Sequence, residues 1–179
     1  HPEIVLGPAG LTVTVGFGPA MFNKLGLQDQ MPRGFSELPS FKIDDLAEEY
    51  CGGDVVLHLG ANDLQILSHI TRIFIRDSET FAKLRWIQDG FTNAVGSSPD
   101  GKTQRNLMGQ VDGTDNPNFG TDDFSQLVWI GEGPKWAVGG TQLVLRRIRM
   151  NLKTWDMLGR TDKEEVIGRH LDTGAPLGK

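Results

Sequence analysis

A chain of 179 residues with 38% hydrophobic and 23% charged positions has the size and composition of an ordinary globular domain, which excludes disordered, collagenous and disulfide-built classes. Its longest apolar runs, such as Val55-Val56-Leu57 and Ile73-Phe74-Ile75, fall far below the roughly 20 residues that a transmembrane helix needs. A formal net charge of −5 provides no general field for gripping phosphate backbones, so nucleic acid is not an expected partner.

Glycine is more informative. It fills 23 positions, about twice its usual ~7% usage, which points to many tight turns or to backbone lying against a ligand. The single cysteine, Cys51, has no internal partner and leaves the redox compartment open. The chain opens at His1 without a leader pattern and stops at Lys179 in a Gly/Pro context, so it reads as a piece of a longer protein.

Residues 11–17 alternate, with Leu11, Val13, Val15 and Phe17 on one side, the period of a half-buried strand. Residues 26–53 carry no sustained period and read as a long surface connection. A second strand is predicted over 54–59. Ala61-Asn62-Asp63 then caps a helix to about Arg76, with Leu64, Leu67, Ile70, Ile73 and Phe74 at helical spacing. A third strand is expected over 84–91. This order suggests an α+β sandwich with helices on one face of an antiparallel sheet.

Residues 96–120 are rich in Gly, Asp, Asn and Pro and form the loop region where function most often sits. Strands are predicted over 124–130 and 136–150, joined by Gly131-Glu132-Gly133-Pro134, with Gly139-Gly140 as a bulge or close approach. Two short helices follow over 151–158 and 161–168, the second opened by a capping box of Thr161 and Glu164.

Several familiar motifs fail on spacing. Gly16-x-Gly18 lacks the third glycine of a dinucleotide fingerprint, since Met21 stands there and Pro19 interrupts the turn. A calcium loop starting at Asp112 would use Thr114 and Asn116, but Pro117 occupies the turn glycine's place and no Glu closes the twelfth. His58, His69 and His170 are dispersed, with no pair at the spacing that puts two imidazoles on one helix face. His69 reads as a satisfied core or surface histidine and His170 as exposed. Neither Cys51 nor Ser97-Ser98 has a nucleophile's context, and the basic strip Arg146-Arg147-Ile148-Arg149 reads as strand edge and surface pairing. What remains is Arg105 to Pro117, where Asp112 is flanked by Gly109 and Gly113 with an arginine upstream. Such a backbone can approach a flat ligand closely, although an ordinary Asp-Gly turn would use the same residues.

Gly109-Gln110-Val111-Asp112-Gly113 resembles the GxxDG signature of the dye-decolourising haem peroxidases, and its flanks, Arg105-Asn106-Leu107-Met108 and Thr114, Asn116 and Pro117, resemble the exported, deferrochelatase-like subgroup. Further segments agree in order over nearly the whole chain: Gly16-Phe17-Gly18-Pro19, residues 84–91, Gly139-Gly140, residues 146–150, Trp155-Asp156, Ile167-Gly168-Arg169 and Gly174-Ala175-Pro176-Leu177. The resemblance implies two ferredoxin-like α+β halves of the dimeric α/β-barrel type, here residues 1–95, short of a first strand, and 96–179. It implies b-type haem (haem b) in the second half, and hydrogen peroxide and a dye or phenolic reductant as substrates. Asp112 would stand on the distal face, taking a proton from one peroxide oxygen and delivering one to the other. An unperturbed Asp titrates near ~3.9, which suits the family's acidic preference. Gly113, Thr114 and Asp115 would lie along the haem, and Arg169 would face a propionate as a charge-assisted fork.

In the family, the proximal histidine and the distal arginine both come after the Gly-Ala-Pro-Leu segment, so neither is expected within these 179 residues. Metal ligands are accordingly none in the chain, and haem binding is expected to need a C-terminal part. The alternatives are deferrochelatase-type release of iron from haem and a non-catalytic module that binds haem or a partner. The resemblance also implies export by the twin-arginine route, and it leaves homo-oligomer formation open.

Overall fold

The computed structural model describes residues 7–94, 96–99, 101–113 and 116–178. The chain divides into two compact units, one running up to Asp89 with Gly133–Trp136, the other made of Gly90–Glu132 and the chain from Ala137 onward.

In the first unit, β1 (Thr12–Phe17) pairs antiparallel with β2 (Val55–Gly60), from Thr12 opposite Gly60 to Phe17 opposite Val55. The chain leaves β1 through Gly18, where a Cβ would stand 2.0 Å from the Gly53 carbonyl oxygen. No other residue fits there. Pro19 then opens α1 (Pro19–Leu25) at its first position and Gly26, at φ 68°, closes it, the usual division of labour between these two residues. Phe22 on α1 is 3% exposed. It stacks on Trp136 at 5.6 Å and meets Phe35 edge-on at 6.2 Å, while Trp136 also meets Phe17 at 5.8 Å. The Trp136 indole N–H donates to the Gln30 carbonyl at 3.0 Å, so the ring buries its apolar body and satisfies its polar edge. Helix α2 (Leu64–Ser78) starts where Asp63 Oδ1 accepts from the Gln65 and Ile66 N–H groups at 2.9 and 3.0 Å, an N-cap as the sequence predicts.

The second unit holds α3 (Asp122–Val128), α4 (Leu152–Asp156) and α5 (Arg160–Ile167). Asn151 caps α4 through the Thr154 N–H at 3.3 Å, and Trp155 on that helix is 6% exposed.

The α+β class is as expected, but several elements differ. Residues 84–91 form no strand. Their side chains make the attachments instead: Arg85 donates to the carbonyls of Glu48 and Cys51, and the Trp86 indole to that of Gly52. A strand needs a backbone ladder, which these contacts do not provide. The predicted strand over 124–130 is mostly helix α3. Thr121 accepts from the Phe124 N–H at 3.2 Å, and Asp122 and Asp123 occupy the first turn, where acidic groups complement the helix dipole. Residues 136–150 are not a strand either; backbone bonds link Ile130 to Gly139 and Gly140, both at 2.9 Å. Helix α5 begins one residue before the expected capping box, with Gly159 at its N-cap and no side-chain cap. The Glu164 carboxylate accepts instead from Arg160 and from the Leu171 N–H. Among the described residues, no helix is long and apolar enough to cross a membrane.

Candidate functional site

The GxxDG segment is built as a small hairpin. Arg105 bridges Val111 antiparallel, the Asn106 N–H donates to Gln110 O at 3.0 Å, and the Asp112 N–H donates to Gln104 O at 2.9 Å. Asn106 organises the turn, its Oδ1 accepting from the Met108 and Gln110 N–H groups at 3.0 and 3.2 Å. The turn is held from outside by the Trp155 indole N–H, which donates to Met108 O at 2.9 Å. Asp112 therefore has a fixed backbone and an exposed side chain.

The two motif glycines serve different ends. Gly109, at φ 77°, has nothing within 4 Å of the place a Cβ would occupy. Gly113, at φ 88°, has the Asn116 Nδ2 2.7 Å from that place, so its missing side chain makes room for a neighbouring amide. Between them Gln110 is 6% exposed, and its Nε2 is buried without a hydrogen-bond partner among the described residues. Thr114 and Asp115, both expected along the cofactor, lie outside the described residues.

Arg169 sits in a second hairpin, directly after α5. It bridges Pro176 antiparallel, the neighbouring His170 N–H donates to Ala175 O at 2.9 Å, and Arg169 Nη1 donates to Gly174 O at 2.7 Å. Part of the guanidinium is thus spent on holding its own turn. His170 is half-buried rather than exposed: its ring lies toward Glu164, with Nδ1 4.0 Å from Oε2.

Ligand atoms of Glu164, His170 and Asp172 lie within 4.8 Å of one another. A cation is already present there, because Arg160 reaches Glu164 at 3.1 Å and Asp172 at 3.3 Å. The Leu171 N–H, opposed by burial and helped by Arg160, holds the Glu164 carboxyl below its ordinary value. For Asp172 burial pulls upward, but the Thr173 N–H and Arg160 prevail and lower it. This cluster is an ion-pair network that pins the second hairpin to α5.

In the sequence Arg105 is marked only by standing upstream of Asp112. In the structure Arg105 Nη1 donates to Gly109 O at 2.8 Å and to Leu171 O, and Nη2 donates to Asp172 O at 3.1 Å. One guanidinium therefore joins the Asp112 hairpin to the Arg169 hairpin. No local pattern reveals such a contact, since its partners lie 66 and 67 residues downstream.

Known proteins resemble this chain over almost all of it. Family models described as Dyp-type peroxidase, N-terminal and Dyp-type peroxidase, C-terminal match residues 4–92 and 103–179. The dye-decolorizing peroxidase of Thermobifida fusca is 41% identical over 96% of this chain and 41% of its own length. The deferrochelatase of Escherichia coli K12 is 33% identical over 97% of this chain and 42% of its own. Among solved structures, a DyP-type peroxidase from Streptomyces coelicolor superposes with a TM-score of 0.89 at 41% identity, covering 98% of this chain and 48% of that one. One from Cellulomonas bogoriensis gives 0.86 at 47% identity, covering 99% and 49%. The chain thus spans less than half the length of these relatives.

Proposed function

The chain belongs to the Dyp-type peroxidase family, and from that membership we propose that it is part of a haem-dependent peroxidase that uses hydrogen peroxide to oxidise dyes or phenolic compounds. The observation that carries the reading is the GxxDG hairpin, which presents the exposed Asp112 carboxylate from a backbone fixed on both sides.

The residues present fit haem b. Gly109 leaves open space where a side chain would stand, Gln110 keeps a buried amide nitrogen with no acceptor among the described residues, and Arg169 supplies a cation. When bound, haem would supply the iron at which peroxide is cleaved and which then takes electrons from the reductant. Asp112 accepts a proton from one peroxide oxygen and returns it to the other, a task for which a group must be ionised first and protonated next. Gly113, Thr114 and Asp115 line the haem in this reading, and Arg169 pairs with a propionate. Export follows from the same likeness to the deferrochelatase-like subgroup.

A second reading, release of iron from haem, draws support from relatives named deferrochelatase at 33–36% identity. Titration of the full-length protein with hemin, followed by assay with hydrogen peroxide and an anthraquinone dye, separates the two. Peroxidase function predicts stoichiometric haem uptake and dye loss that needs both haem and peroxide. Haem uptake followed by metal-free porphyrin, without dye loss, would contradict it.

A further inference from the structure

We propose that Arg105 is a positioning residue that fixes the Asp112 hairpin and the Arg169 hairpin in one frame. Its consequence for catalysis rests on the peroxidase reading; the link itself does not.

The Arg169 hairpin is secured on one side by α5, through the Leu171 N–H on Glu164 at 2.9 Å and Asp172 on Arg160 at 3.3 Å. The Asp112 hairpin is secured on another side by Trp155 of α4, through Met108 O at 2.9 Å. Neither of these attachments connects one hairpin to the other. Arg105 does, by donating to Gly109 O on its own hairpin and to Leu171 O and Asp172 O on the second. The choice of arginine follows from the geometry. Nη1 spans the two segments by itself and Nη2 adds the third carbonyl, so three carbonyls are met by donors held in one rigid plane, which a guanidinium has and an ammonium on a flexible stem lacks. Hydrogen bonds from a charged donor are also roughly twice as strong as neutral ones. Releasing this fork lets both hairpins open more often and the Asp112 carboxylate shift relative to Arg169, and small displacements of a proton-transferring group are costly in rate.

The test uses the full-length protein and amide hydrogen exchange, compared among wild type, Arg105→Ala, Arg105→Lys and Arg160→Met. Arg105→Ala is expected to raise exchange at least tenfold in both hairpins, at Asn106 and Asp112 and at His170 and Gly174. Arg105→Lys, which keeps the charge but not the fork, behaves like Arg105→Ala. Arg160→Met loosens the Arg169 hairpin alone. The proposal is overturned if Arg105→Ala leaves His170 and Gly174 at wild-type exchange, or if Arg105→Lys restores both hairpins. Should Arg105→Ala fail to fold, Arg105→Lys decides by the same criteria. On the haem-loaded enzyme, Arg105→Lys is expected to lower kcat at least tenfold with the KM for the reductant unchanged. An unaltered kcat beside loosened hairpins would overturn the positioning role. A wild type without peroxidase activity would instead remove the functional reading and leave the exchange result standing.

Discussion

At Gly113 two demands meet on one residue: a φ of 88°, and an Asn116 amide nitrogen 2.7 Å from the place of a Cβ. Gly109 has only the first, with φ 77° and open space beside it. A left-handed conformation costs an alanine about 1–2 kcal/mol, so Gly109→Ala is expected to cost about that much. Gly113→Ala must also displace Asn116 and is expected to cost about 1–3 kcal/mol more, the usual range for overpacking. Denaturant midpoints of the two full-length variants check this, and equal midpoints would contradict it. At this scale the sequence is readable where the signal is local. The GxxDG pattern located Asp112 because its glycines and carboxylate lie within five consecutive positions. It could not reveal that Gly113 makes room for Asn116, or that Arg105 ends on carbonyls of a distant segment, because hydrogen-bond partners far along the chain leave no periodic trace.

Elements were legible to the extent that their caps were. Asp63 identifies the start of α2, and Pro19 with Gly26 frames α1, because each of these residues does its work within a turn of its own position. Helix α3 is ambiguous in the sequence: Phe124, Leu127 and Val128 stand at helical spacing, but a run that short fits strand and helix alike, and the cap at Thr121 decides. Over 84–91 and 136–150 the apolar pattern suits a strand, yet a strand exists only where another supplies its ladder. Helix α5 carries a pH dependence. Glu164 and Asp172 are both held below their ordinary values, so the stability they give is fully present above about pH 4, the unfolded carboxylate range, and is lost as pH falls through their folded values. The Leu171 amide is therefore expected to stay protected from pH 7 to 5 and to lose protection below about pH 4, after correction for intrinsic exchange. Glu164→Gln should abolish that acid step. Loss of protection in parallel with the β1–β2 ladder would indicate global unfolding and contradict the local origin.

For the molecule as a whole, the ordered series of short segments from Gly16 to Leu177 pointed to the family that the matches over residues 4–92 and 103–179 identify. The α+β class was legible from the mixture of alternating and helical periods, whereas the extent of the sheet was not, since pairing between strands is a property of the folded chain. The proposed function belongs to that larger scale too, because in that reading Asp112 needs a bound peroxide to act upon. Stopped-flow measurement of the peroxide reaction in the haem-loaded, full-length protein, wild type against Asp112→Asn, reads the proton transfer itself. Asp112→Asn is expected to be slower by about 100-fold, within the usual range for a lost general acid–base group. Equal rates in the two proteins would show that Asp112 carries no proton in the reaction.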